Sequence, residues 1–376
     1  MTTEIVPFTV AFTEGAISDL RNRLHHTRWP EPATVADWSQ GVPLPYLQEL
    51  CAYWAESYDF DAAQARLNAF PQYRTVIGDF GLHFLHVPSP HRDALPLVLT
   101  HGWPDSIVEF LDVIHPLTHP ADEHDAFHVV VPSLPGYGFS DRPSSTGWSI
   151  DRIVQAWDEL MRRLGYPRYG AQGGDWGAMV TTGLAQAFPD HVVGVHVNLP
   201  IVPLGNIDMR DATAEEQHAL AVMADHQRWG RGYSEEQSTR PQTVGYGLTD
   251  SPAAQCAWIV EKFWAWTDCD GHPERALTRD QMLDNISVYW FAATAASSGR
   301  LYWESLRQAN AAPVTVPTGI SVFPKEIFPI SRRWAETRYL DLRYFNRLDR
   351  GGHFAAFEQP ALFVEELRRF FRLLRD

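Results

Sequence analysis

The sequence predicts an α/β protein: a mostly parallel central sheet, a helical lid inserted into it, and a helical extension at the N-terminus. Three observations carry this. Between residues 95 and 200, short apolar runs alternate with helical patterns, the rhythm of parallel strands joined by crossover helices. From 201 to about 307 that rhythm gives way to long, aromatic-rich helical stretches. After 308 the strands resume, and the chain closes on an amphipathic helix. The expected divisions are therefore 1–92, an N-terminal region wrapping the core; 93–200, the first part of the sheet; 201–307, the lid; and 308–376, the rest of the sheet.

The N-terminal region reads as mostly helical. "TEGAISDLRNRLHHTRWPEP" starts on Thr13 as an N-cap, spaces Ile17, Leu20 and Leu24 on one face, and should stop at Pro30. "LPYLQELCAYWAESY" repeats the pattern with Leu47, Leu50, Cys51 and Trp54. "RTVIGDFGLHFLHVP" reads as a hairpin turning around Asp79 to Gly81. Next come the strands "LPLVLTHGW", "AFHVVVPSLPG", "RYGAQGG" and "HVVGVHVNL". Their helices are "SIDRIVQAWDELMRRLGY" and "AMVTTGLAQAF". "RYGAQGG" is a strand by its place between helices rather than by its own propensity. The lid includes "AAQCAWIVEKFWAWTD" and "ISVYWFAATAASSGRLYWESL". "APVTVPTGISVFP", "LRYFNRLDRGG" and "ALFVEELRRFFRLLR" complete the pattern. Ligands of open α/β sheets bind beyond the carboxyl ends of the strands, so such a lid would cover the site.

Composition excludes several partners. A net charge of −15 disfavours nucleic acid and anionic membranes, which need clustered Lys and Arg. No apolar run reaches the length of a membrane span, and no signal peptide is expected at the N-terminus. Cys51, Cys256 and Cys269 are odd in number and far apart, which fits a reducing, cytoplasmic setting. The residues are compatible with a homo-oligomer. Aromatic richness (14 Trp, 13 Tyr, 20 Phe) suits a packed core and equally a large apolar pocket.

The chemistry centres on "AQGGDWGAMV". Gly173 and Gly177 bracket Asp175 as glycines bracket the nucleophile in a G-x-S-x-G elbow, a strained strand-to-helix turn that presents one side chain. Alone, the pattern equally describes an exposed aspartate in a glycine loop. Three other segments support the elbow. "LTHGWPDS" follows a strand, where α/β-hydrolases take one oxyanion-hole N–H. "DRGGHFAAFEQP" puts His353 after the last strand, and "VFPKE" puts Glu326 after the penultimate one. The order nucleophile, acid, histidine is the one those folds require. Asp349, close to His353 in sequence, competes with Glu326 for the acid. His119, Glu123 and His124 in "HPADEH" are loosely metal-like in spacing, but a solvated loop accounts for them. Cys256 reads as a buried helix residue, and Asp141 and Arg142 as loop ties.

At this point the chain resembles the epoxide hydrolases, microsomal-type branch, with an α/β-hydrolase fold. The resemblance spans nearly the whole length through "RWPEP", "DWSQGVPLPYLQEL", "HGWPDS", "PSLPGYGFSDRP", "QGGDWG", "VPTGISVFPKE" and "RGGHFAAFEQP". It implies Asp175 as nucleophile, Glu326 as acid, His353 as base, and backbone N–H groups of Trp103 and Trp176 as the oxyanion hole. It further implies two lid tyrosines that bind the epoxide oxygen: Tyr233 in "RGYSEEQSTRPQTVG" and Tyr302 in "SSGRLYWESL". Animal members of the branch carry a membrane anchor; here a soluble enzyme is expected. The substrate would be a small-molecule epoxide, bulky aryl or alkyl, attacked together with water and without metal or organic cofactor.

An aspartate suits attack on an sp3 carbon because it is already anionic. That logic also admits a haloalkane dehalogenase, with Trp176 and Trp103 as halide donors; the acid of some dehalogenases follows the sixth strand, which would make Asp208 a competitor of Glu326. The two tyrosines and the N-terminal region favour the epoxide. A non-catalytic ligand receptor on the same scaffold is disfavoured by the joint presence of Asp175, Glu326 and His353.

Overall fold

The computed structural model describes residues 4–206, 210–306 and 311–375. The first segment contributes strand β1 (Val6–Phe8), helices α1 (Glu14–His25), α2 (Leu44–Glu56) and α3 (Phe60–Leu67), then the β2 (Gln72–Ile77) and β3 (Phe80–Val87) hairpin. The sheet continues through β4 (Leu95–Thr100), α4 (Leu111–Thr118), β5 (Phe127–Pro132), α5 (Ile150–Arg163), β6 (Tyr169–Gly173), α6 (Asp175–Ala187) and β7 (Val192–Val197). The lid comprises α7 (Ala214–Asp225), α8 (Gly232–Thr239), α9 (Pro241–Asp250), α10 (Pro252–Trp266), α11 (Arg279–Ala292) and α12 (Ala295–Ser305). The chain returns through β8 (Thr318–Val322), α13 (Arg332–Ala335), β9 (Leu342–Arg347), α14 (Ala355–Glu358) and α15 (Pro360–Arg372).

The strands form one sheet in the order β1-β2-β3-β5-β4-β6-β7-β8-β9. The pairs from β1 to β5 along that order are antiparallel, and the pairs from β5 to β9 are parallel. Successive side chains of a strand face opposite sides, and both sides are packed here. On β4, Val98 joins one apolar cluster while Leu97 and Leu99 join the other. Helix α5 buries Ile153, Val154, Trp157, Leu160 and Met161, and α15 buries Phe363, Val364, Leu367, Phe370 and Phe371. Each set is an i, i+1, i+4, i+7, i+8 stripe, so each helix lays one face on the sheet. No described helix is long and apolar enough to cross a membrane.

Three details depart from the sequence reading. Beside the two helices and the hairpin, the N-terminal region holds a third helix, α3, and a strand, β1, of three residues, too short to show alternation. Helix α1 begins as read, with the Thr13 side chain accepting from the Ala16 N–H, but it ends at His25 rather than near Pro30. The run "ISVYWFAATAASSGRLYWESL" is two helices, broken where Ala293 takes a left-handed φ of 51°.

Strands β4 and β6 end side by side, Thr100 opposite Gly173, at the place where the strand order reverses. The elbow there depends on closeness. A Cβ on Gly177 would sit 1.8 Å from the Thr100 carbonyl oxygen, and one on Gly173 would sit 2.2 Å from the Gly177 backbone. Helix α6 can therefore start hard against the sheet only without those side chains. Gly177→Ala should lower stability by about 3 kcal/mol, since backbone rather than a soft side chain must yield. Thermal denaturation checks this; an unchanged midpoint would show that the contact is looser than the geometry requires.

Candidate active site

Asp175 is the first residue of α6 and the last step of the β6 turn, with a φ of 47° that L-residues rarely adopt. Its side chain is only 14% exposed. The carboxylate is held from two sides. Oδ1 accepts from the Trp103 N–H at 2.9 Å, and Oδ2 lies 3.4 Å from His353 Nε2. The Trp176 N–H belongs to the first turn of α6, where backbone donors lack helical acceptors and favour negative charge.

His353 and Glu326 are both buried. Nδ1 of His353 donates to Glu326 Oε1 at 2.8 Å; a carboxylate can only accept, so this contact sets the tautomer. The same oxygen accepts from the Ile327 N–H at 2.7 Å. Of the competing acids, Asp349 is exposed, and Asp208 lies outside the described residues. The line Glu326, His353, Asp175 is thus assembled from three loops beyond the carboxyl ends of β8, β9 and β6.

The lid supplies the opposite wall. Tyr233 on α8 and Tyr302 on α12 are buried in an aromatic cluster with Trp103, Trp176 and Trp266. The Tyr233 ring stacks on Trp103 at 4.9 Å between centroids, and Tyr302 meets Trp176 edge-on at 4.7 Å. The two phenol rings are 5.8 Å apart. A cavity of about 1710 Å³ reaches down to Tyr233, Trp266 and Glu326, with Trp38, Trp258 and Lys262 among its walls.

Comparison with known proteins agrees with this arrangement. Residues 5–110 match the family described as epoxide hydrolase N terminus, and residues 96–252 match the alpha/beta hydrolase fold. The chain is 54% identical to a Stigmatella aurantiaca protein provisionally named an epoxide hydrolase, covering 99% of this chain and 86% of that one. It is 35% identical to epoxide hydrolase 1 of Sus scrofa, covering 99% and 89%. The chain belongs to the microsomal-type epoxide hydrolases. The crystal structure of juvenile hormone epoxide hydrolase from Bombyx mori superposes with a TM-score of 0.93 at 32% identity, covering 100% of this chain and 95% of that one. The α/β-hydrolase fold and epoxide hydrolase activity follow from membership, which decides against the dehalogenase and receptor readings.

Electrostatics in this epoxide hydrolase follow from a buried site holding several charges. Burial works against the His353 imidazolium, but the Glu326 charge and the Asp175 contact outweigh it, so its pKa lies well above the ordinary histidine value. Burial, then the Asp175 charge, raises the Tyr233 phenol. Burial, then Tyr233 and Asp175, raises Tyr302. Both phenols are therefore fully protonated donors at neutral pH, and both sense the Asp175 charge.

The sequence reading missed several groups around the site. Burial, then the neighbouring Glu109, lifts Asp105 well above the carboxylate range, and burial lifts Glu109 up to about 8. The pair retains a proton at neutral pH. Lys262 is buried with its ammonium 4.6 Å from the centre of the Tyr233 ring and is paired with Glu261. Glu358 accepts from the N–H groups of Phe354 at 3.1 Å and Asp268 at 2.8 Å, tying the histidine loop to the end of α10. Only the i+4 spacing of Asp105 and Glu109 was visible in the sequence. Of the residues given a structural reading, His119, Glu123 and His124 are exposed, Cys256 is buried in α10, and Asp141 accepts from the Gly81 N–H at 2.8 Å.

Glu326 is the largest influence favouring the imidazolium. Glu326→Gln should therefore move the His353 titration, followed by NMR of its ring protons, to lower pH. A titration that stays in place would mean that Asp175 alone sets it.

Proposed function

We propose that this epoxide hydrolase works through a covalent ester on Asp175. The observation that carries the reading is the two-sided hold on one carboxylate: Oδ1 on a backbone N–H, Oδ2 beside the imidazole. Oδ2 attacks one ring carbon, the carbon–oxygen ring bond breaks, and the ring oxygen takes a proton from Tyr233 or Tyr302. The phenols are needed because a free alkoxide is too basic a leaving group, and positioned general acids contribute about 10²- to 10⁴-fold.

Ester formation removes the Asp175 charge. That charge is one cause of the raised pKa values of His353 and of both phenols. All three groups thus become stronger acids as the ring opens. The proton that His353 sheds restores the phenol that gave its own, and the neutral imidazole is then a base. It takes a proton from water; the hydroxide adds to the Asp175 carboxyl carbon; the diol leaves with the proton returned by His353, and the acid generated leaves the imidazolium restored. In the tetrahedral state Oδ1 becomes the oxyanion. The N–H groups of Trp103 and Trp176 would stabilise it by about 3 kcal/mol each. The scheme calls on no metal or organic cofactor.

The size of the cavity and its tryptophan walls support a bulky aryl or alkyl epoxide as substrate. Styrene oxide is a suitable first probe. His353→Gln should form the ester and fail to release it, a gain of one substrate mass on the Asp175 peptide. Tyr233→Phe and Tyr302→Phe should each slow ring opening about 10²-fold with binding little changed. A single turnover in heavy-oxygen water is the direct test. Label should enter Asp175 first and diol only in later cycles; label passing straight into diol would overturn the covalent route.

A further inference from the structure

The loop after β4 carries the Trp103 N–H that binds Asp175, yet it has no ladder of its own to hold it. Its fastening comes from α11. Asn285 Nδ2 donates to the Pro104 carbonyl at 2.7 Å, and Asn285 Oδ1 accepts from Ser106 Oγ at 2.7 Å. One turn on, the Tyr289 hydroxyl donates to the Asp105 carbonyl at 2.8 Å. Both side chains are 1% exposed. Residues four apart share a helix face, so one face of α11 clamps three consecutive loop residues. A buried amide used at both ends is costly to misplace, because any shift leaves a polar group unpaired.

The other face of α11 is fastened just as firmly. Asp280, Asp284 and Ser287 follow i, i+4, i+7 spacing and meet the N-terminal region. Tyr53 donates to Asp280 at 2.8 Å, and the Trp54 indole donates to Ser287 at 3.1 Å. Asp284 accepts from Tyr58 at 2.5 Å and from two Arg66 nitrogens at 2.7 Å each. The helix can neither turn nor slide without breaking one set of contacts.

We propose that α11 is the strut that aims the oxyanion loop, with Asn285 and Tyr289 as positioning residues and the N-terminal region as its buttress. This rests on the covalent reading above, in which the Trp103 N–H serves the tetrahedral state. A donor displaced by a fraction of an ångström loses most of its value there, while the anionic nucleophile of the first step needs it less. Loosening the strut should therefore slow ester breakdown selectively.

The test separates the two steps by quenched-flow mass spectrometry of the Asp175 peptide, with styrene oxide as probe. Tyr289→Phe keeps the shape of the core and removes only the hydroxyl; it should slow ester breakdown about tenfold, and Asn285→Ala about 100-fold. Ester formation should stay close to that of the unmodified enzyme, so ester accumulates and KM falls with kcat. Equal losses in both steps, or an unchanged breakdown rate in folded Tyr289→Phe, would overturn the strut. Absence of any ester in the unmodified enzyme would overturn the covalent reading and the strut with it.

Discussion

A single anionic carboxylate, pressed into a sharp turn and mostly shielded from water, is the constraint around which the rest is arranged. Taking a charge out of water is expensive unless donors and counter-charges replace the hydration. Asp175 has three replacements: the Trp103 N–H, the start of α6 and the His353 imidazolium. Each must arrive from a different part of the chain. The close approach of α6 to β4, made possible by Gly173 and Gly177, brings the first two together.

The loops that complete the site are irregular, so their precision is borrowed. The histidine loop is pinned to the end of α10: the His353 N–H donates to the Trp266 carbonyl at 2.9 Å, and the Gly351 N–H donates to Asp268 at 3.0 Å. Helix α11 holds the loop after β4 in the same manner. The lid helices thus roof the cavity and also fix both loops against the sheet. Rigid elements orient a site better than loops do, and here loops acquire rigidity from helices lying across them.

Burial does the remaining work. With Trp103, Trp176, Trp266, Tyr233 and Tyr302 packed together, charges interact across a low-dielectric space. The same burial, with their mutual repulsion, keeps Asp105 and Glu109 from ionising together. It also lets the ionisation of His353, Tyr233 and Tyr302 respond to the charge on Asp175, so the ester proposed above would shift all three groups in one step.

Much of this was legible from residues alone. Strands β4 to β7 with their helices, the elbow, and the order of Asp175, Glu326 and His353 are local patterns: short apolar runs, glycines at fixed offsets, polar residues just past strand ends. The choice of Glu326 over Asp349 was narrower, resting on side-chain reach, and burial separates the two. Strand β1, the break at Ala293, the Asp105–Glu109 pair and the grip of Asn285 left no usable trace. Strand β1 and the grip of Asn285 exist through contacts between residues far apart in the chain, and the Asp105–Glu109 pair matters only because the fold buries it; one sequence carries no record of which distant groups meet. The residues by themselves therefore determined the fold class and the candidates for the reacting groups, because periodicity and turn chemistry are short-range. Only the tertiary structure decided how those groups are aimed, charged and buried, because burial and mutual distance arise once the sheet, the lid and the N-terminal region have closed on one another.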